Sequence, residues 1–211
     1  MSKIRFRYSK TGKAGYISNL DLVTVMQRAF LRAGINLKYS EGFNPHPYVS
    51  VALPLSVGCE SLCELLDVDI IGDSLPEIES IILPEGITIQ EVYLPARKFG
   101  EIAWIEIEST LVYGEQTAGD IMDRLMTLFA ADSIIIQKRT KRGFRELDIA
   151  PYIEDVELVS GKNITMTAKV SAQSPTVNIS DLERVFEDEL KPVFINLKRI
   201  EIYDSNMIKY R

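Results

Sequence analysis

The residues of this chain that could do chemistry are few. It holds one histidine and two cysteines in 211 residues, so any nucleophile–histidine mechanism depends on His46. His46 lies between Pro45 and Pro47 in YSEGFNPHPYVS (39–50). Proline fixes φ and biases the residue before it toward extended backbone, while Gly42 permits a turn at positive φ. A stiff loop of this kind could present Glu41, Asn44 and His46 to a ligand, with Asp21 as a further carboxylate. The plainer alternative is a packed connection between strands with His46 bonded to backbone. Asp21 also has another use, because Ser18-x-x-Asp21 is a capping-box pattern. Cys59 and Cys63 form C-x-x-x-C, one thiolate short of the three that hold a [4Fe–4S] cluster with an open iron. Cys63 reads as a small residue of a strand face. Glu64, Asp67 and Asp69 are close enough to consider a cation, yet read as a solvated strand face. No metal and no cofactor are expected.

The cations say more than the nucleophiles. A net charge of −6 argues against general polyphosphate binding, but the charge is uneven along the chain. Residues 1–50 hold eight basic and two acidic side chains; residues 51–101 hold two and ten. Lys3, Arg5 and Arg7 alternate on one strand, and Arg28 and Arg32 lie one helical turn apart. The segment KRTKRGFR (138–145) brings Lys138, Arg139, Lys141, Arg142 and Arg145 together with no acid among them. These ten are the candidate RNA contacts: their charges would neutralise phosphates, and Phe144 or Tyr48 could stack a base. For the first three there is a structural rival. Glu106 and Glu108 stand on the polar face of the matching strand in the second half, so two open sheet faces could pair their charges internally. The glycine and consecutive charges of 138–145 read as an exposed loop.

These residues must be positioned by strands and helices of a recognisable order. Ile4, Phe6 and Tyr8 alternate with the basic residues, the period of a half-buried strand. Leu22, Met26, Ala29, Phe30 and Ala33 follow at helical spacing, with Gly34 as a stop. Extended runs are expected at 35–40, 48–55 and 62–71, then a short helix over 75–83 and a strand over 86–94. The second half repeats the order. Strand 103–112 leads to helix 118–131, extended runs at 134–139, 156–159 and 164–171, a helix opened by Ser180-x-x-Glu183, and strand 194–204. That order predicts an α+β protein of two tandem ferredoxin-like (split βαβ) halves with antiparallel sheets, residues 1–96 and 102–211, joined by LPARKFGE (94–101). A single merged α+β domain is the alternative.

With these motifs in place, the chain resembles a family. SNLDL (18–22), QRAFLRAG (27–34) and YSEGFNPHPYVSVALPLSVGCES (39–61) are similar to the radical-SAM-linked domain of unknown function, and KRTKRGFRELDIAPYI (138–153) resembles a second signature of it. That family occurs alone or as the C-terminal part of larger radical SAM proteins. Asn19 stands where the family more often carries histidine, which leaves His46 without a second histidine for a paired scheme. The first half is also similar in pattern to the repeat-RNA-binding folds of CRISPR RNA-processing endoribonucleases, an analogy of fold alone.

The resemblance implies RNA and a radical SAM protein as partners. The first reading is an accessory, noncatalytic RNA-binding module that presents structured RNA, tRNA or rRNA, to a separate radical SAM enzyme. The second is a noncatalytic protein-interaction scaffold docking on that enzyme. The third is a metal-independent ribonuclease using His46 as acid or base. No apolar run reaches the roughly 18–20 residues of a membrane span, and no apolar stretch follows the basic N-terminus, so a cytoplasmic protein without membrane contact is expected.

Overall fold

The computed structural model describes residues 2–114, 118–140 and 143–211. The chain divides into two compact units, Met1–Glu101 with Arg211, and Ile102–Tyr210. Both are mixed α+β, and each is built on four antiparallel strands.

In the N-terminal unit the alternating segment forms β1 (Ser2–Lys10), followed by α1 (Asn19–Arg32), β2 (Val49–Val51), β3 (Glu60–Ile70) and β4 (Ile87–Tyr93). The strands lie in the order β4-β1-β3-β2, each antiparallel to its neighbours. Ile4, Phe6 and Tyr8 are fully buried in one core with Leu22, Met26, Ala29 and Phe30 of α1. The Phe6 and Phe30 rings stack with centroids 4.5 Å apart. Ser18 caps α1: its Oγ accepts the Asp21 N–H and donates to the Asp21 carboxylate. The helix is therefore fixed by one apolar stripe and one polar start signal.

Three expectations for this unit need correction. Residues 35–40 make only isolated bridges, Leu37 to Ile70 and Tyr39 to Pro47. The helix expected over 75–83 is a single 3-10 turn at Ile78–Ser80, because Pro76 and Pro84 leave too few residues for an α-helix. Glu64 and Asp67 are buried, not solvated, since β3 has a strand on each side and β1 sets cations beside it. The expected linker is also part of this unit: the Phe99 ring packs on the Arg5 guanidinium, and the Arg97 carbonyl accepts from it.

The C-terminal unit contains β5 (Trp104–Val112), α2 (Ala118–Phe129), β6 (Ile135–Thr140), β7 (Gly143–Asp148), β8 (Ile153–Ser160), β9 (Ile164–Ser171), α3 (Ile179–Glu189) and β10 (Phe194–Tyr203). Its sheet runs β10-β5-β9-β8, again antiparallel throughout. Burial alternates along β5, with Ile105, Ile107 and Leu111 inside. Phe129 of α2 meets Phe186 of α3 edge to face at 6.2 Å.

Two differences from the sequence reading matter here. Residues 138–140 and 143–145 belong to a separate two-stranded ribbon, β6 with β7, where the sequence pattern predicts a loop. Helix α3 is capped two residues before Ser180, at Asn178, whose N–H donates to the Asp181 carboxylate at 2.9 Å. Asp181 supplies the reaching-back carboxylate three residues on, so the Ser180–Glu183 pair is not the cap. Among the described residues, no helix is long and apolar enough to cross a membrane.

Candidate nucleic-acid interface

The structure sorts the ten candidate cations by what their neighbours already require of them. On β1 the register sets Arg5 opposite Asp67 and Lys3 opposite Asp69. Arg5 donates from Nε to Asp67 Oδ1 at 2.7 Å and from Nη2 to Oδ2 at 2.9 Å, a bidentate pair. A third donor bond reaches the Arg97 carbonyl at 2.9 Å, and Phe99 covers the guanidinium at 4.4 Å. Arg5 is 1% exposed. Phosphate would have to break a buried ion pair to reach it, which disfavours Arg5 as an RNA contact. Lys3 is half exposed and lies 3.2 Å from Asp69. Arg7 is half-buried, opposite Leu65 and Glu91.

The acidic residues of β5 also have partners inside their own unit. Glu106 accepts from the Tyr203 hydroxyl, and Glu108 lies 3.8 Å from Lys198 Nζ. The pairing of β1 cations thus comes from β3, an intra-unit solution.

Arg28 and Arg32 are exposed on α1, away from its buried stripe. Arg32 donates to the Ile82 carbonyl at 3.3 Å, which fixes the guanidinium while leaving its charge at the surface.

The loop 40–47 is closed by a clasp between its ends. The His46 N–H donates to Ser40 Oγ at 3.1 Å, and the Ser40 N–H donates to the His46 carbonyl at 2.8 Å. His46 Nδ1 sits 3.0 Å from Ser40 Oγ and 3.3 Å from the Asn44 carbonyl. His46 is exposed, and no acid or base stands among its hydrogen-bond partners. Glu41 and Asn44 share the exposed loop. Asp21 is exposed on α1, where its carboxylate accepts from Ser18 Oγ in the helix cap. The sequence reading missed Phe43, which stands fully exposed at the tip of the loop. A glycine before it and the prolines behind it were the available signals. Nearby in the chain, Lys38 Nζ lies 5.3 Å from the centroid of the Tyr48 ring.

In the β6–β7 ribbon, Lys138 pairs across the strands with Arg145, and Arg139 with Phe144. Residues 143–146 are all exposed, Phe144 at 72%. Lys138 is held at its base, 3.2 Å from Asp181 and donating to the Thr176 carbonyl. Arg145 has no partner among the described residues. Lys141 and Arg142 lie outside the described residues, and only the strand position of Arg139 is described.

Buried polar groups elsewhere serve the fold. Cys59 and Cys63 are both buried and form no disulfide. Lys10 is buried beside Glu64 and donates to the carbonyls of Gly15 (3.3 Å) and Ile17 (2.7 Å), tying down the turn that precedes α1. Burial lowers its pKa from the ordinary 10.5, against the opposing pull of Glu64 and Cys59. The unfolded chain therefore binds this proton over a window where the folded chain has lost it. The sign follows: the cost of holding charged Lys10 inside falls as pH rises through the folded pKa toward 10.5. Urea unfolding of wild type and Lys10→Met should show wild type gaining on the variant as pH rises from about 7 to about 10. A difference that stays flat contradicts the assignment. Among the described residues, no group of three or more His, Cys, Asp or Glu side chains is placed to hold a metal ion.

Two α+β units with four-stranded antiparallel sheets and one basic ribbon define the class of molecule. Residues 3–179 match the family described as "Uncharacterized protein conserved in bacteria (DUF2344)", and the chain belongs to that family. No curated protein matches it. Among solved structures it is similar to a chain in the crystal structure of a Cbf5-Nop10-Gar1 complex, with a TM-score of 0.50 and 12% identity over 93% of this chain and 49% of that one. It is also similar to a chain in the structure of an H/ACA RNP bound to a substrate RNA containing 2′-deoxyuridine, with a TM-score of 0.47 and 11% identity over 93% and 46%. The chain spans about half the length of these solved chains. At such identities the likeness concerns fold alone.

Proposed function

We propose that this protein is a noncatalytic RNA-binding module that presents structured RNA, of tRNA or rRNA type, to a separate radical SAM enzyme. The observation that carries the RNA part is the β6–β7 ribbon. Its sequence holds five cations in eight residues, β7 is exposed over residues 143–146, and Phe144 stands beside Arg145 largely exposed. Cations for phosphates and an open aromatic face for a base are the two parts of a single-strand or loop contact. Arg28 and Arg32 on α1 add a second basic surface, and the partly exposed Lys3 and Arg7 a minor one. The radical SAM side rests on the sequence resemblance. The ferredoxin-like reading of both halves belongs with this proposal, supported by their common strand order of fourth, first, third, second; the N-terminal half replaces its second helix by a turn.

Binding to a fluorescent structured RNA should weaken linearly in log–log form as salt rises. Replacing Arg142 or Arg145 by Ala should lower affinity across sequences and reduce the salt slope by about 1 each. Phe144→Ala should cost about 1–3 kcal/mol where unpaired bases are bound, with the salt slope unchanged. Affinity indifferent to salt and to all three substitutions would overturn the reading. RNA cleavage that disappears in His46→Ala would instead support the ribonuclease.

A further inference from the structure

The C-terminal unit carries an apolar groove with carboxylates along it, bounded on one side by Ile135, Ile136, Gln137 and Phe144 of the ribbon, away from the ribbon's cations. Two cavities of about 380 and 470 Å³ open beside α2 and α3 and share Leu128 and Glu189 as lining. Leu128, Ile134, Ile136 and Val185 make the floor apolar, and Ile135 is more than half exposed at its edge. Each volume falls in the range of roughly 300–1,000 Å³ typical of ligand pockets.

The rim is acidic. Asp123 and Arg124 line one cavity, Asp188 and Arg184 the other, and Glu189 both, so carboxylates outnumber guanidiniums three to two. Helix α3 carries Asp181, Glu183, Glu187, Asp188 and Glu189 against Arg184 alone. Asp181 is buried with Lys138; the side chains of Asp123, Glu187, Asp188 and Glu189 make no ion pair among the described residues. Arg124 is committed to the Glu189 carbonyl.

These acids do not serve the helix that bears them. Three carboxylates stand in the last turn of α3, where the helix dipole already presents its negative end, and no basic residue stands there to offset them. Glu183, one turn before Glu187, has its pKa raised by burial first and by the Glu187 charge second. Crowded like charges at the wrong end of a helix are relieved by a cation from outside the chain. Phosphates would meet the same carboxylates with repulsion, so RNA is not the occupant.

We propose that this groove docks a basic, amphipathic helix of a protein partner, with apolar side chains spaced i, i+3 or i+4, i+7 filling the two cavities and lysines or arginines facing Asp123, Asp188 and Glu189. The proposal does not depend on the RNA reading.

The test is a selection from a displayed library of peptides of about 18 residues, roughly five helical turns, against the full chain. Recovered sequences should combine net positive charge with that apolar spacing. They should lose about tenfold or more in affinity toward Asp188→Lys/Glu189→Lys and toward Ile135→Asp, measured by fluorescence anisotropy. The first variant improves the helix end, so its thermal midpoint should equal or exceed that of wild type and a lost fold cannot explain lost binding. Ile135→Asp sets a second carboxylate opposite Asp148, so its thermal midpoint is expected below wild type and its binding is measured well below that midpoint. Recovery of acidic or unpatterned sequences, or equal affinity for all three proteins, would overturn the proposal. So would a structured RNA that competes the peptides away while protecting α2 and α3 amides from exchange. Loss of RNA binding in the Arg142 and Arg145 variants bears only on the ribbon and leaves this test unaffected.

Discussion

Arg5→Ala is expected to destabilise the N-terminal unit by about 3–5 kcal/mol, the cost of leaving one member of a buried ion pair without its partner. The substitution strands the Asp67 carboxylate in a buried setting between strands and removes the donor to the Arg97 carbonyl. It also uncovers the Phe99 ring. Urea unfolding with an unchanged m-value would read the loss directly. The double variant Arg5→Met/Asp67→Leu should recover most of it, because a well-packed apolar pair needs no counter-charge. If Arg5→Ala were as stable as wild type and lost only RNA affinity, Arg5 would belong to the interface that its burial disfavours.

Gly86→Ala is expected to cost about 2–5 kcal/mol, from roughly 1–2 kcal/mol of left-handed backbone strain and 1–3 kcal/mol of overpacking. Gly86 adopts φ +87°, and a Cβ there would lie 2.3 Å from the Thr11 carbonyl oxygen and 2.9 Å from the Ala14 Cβ. Neither neighbour can swing aside. Thr11 is bonded through its N–H to the Gly86 carbonyl at 2.8 Å, and Ala14 is buried in the turn before α1. Gly58→Ala is the matched control: its φ is +90° but nothing lies within 4 Å of its Cβ position, so only the backbone strain should be felt. Equal losses at the two glycines would remove the close contact from the account.

Much of the local structure was legible in the residues. The period of two in β1 and β5 and the apolar stripe of α1 each follow from burying one face of a short element, and each is found. The Ser18 cap was readable for the same reason, since a cap is completed within four residues. The α3 cap was misread because two acids compete within one turn, and only the geometry of the entering chain chooses Asp181 over Glu183. The extended run over 134–139 is found as β6, but its pairing with β7 was not legible because residues 143–146 are all exposed and show no buried face.

The sites divide along a similar line. Cation-rich segments and the stiff proline loop are covalent facts of the chain, and by themselves they determined where charge and rigidity are concentrated. They could not determine which cations remain available. That depends on register: Lys3 and Arg5 on β1 against Asp69 and Asp67 on β3, some sixty residues away, a pairing that only the tertiary structure sets. A one-residue slip would turn those carboxylates to the other face, so no local pattern encodes the outcome. In the same way α3 displays five acids in its sequence, but that Asp188 and Glu189 line a groove with Asp123 of α2 emerges only once the two helices have packed. Composition sets the charge that a chain carries; packing decides whether that charge is neutralised inside the fold or left for a partner.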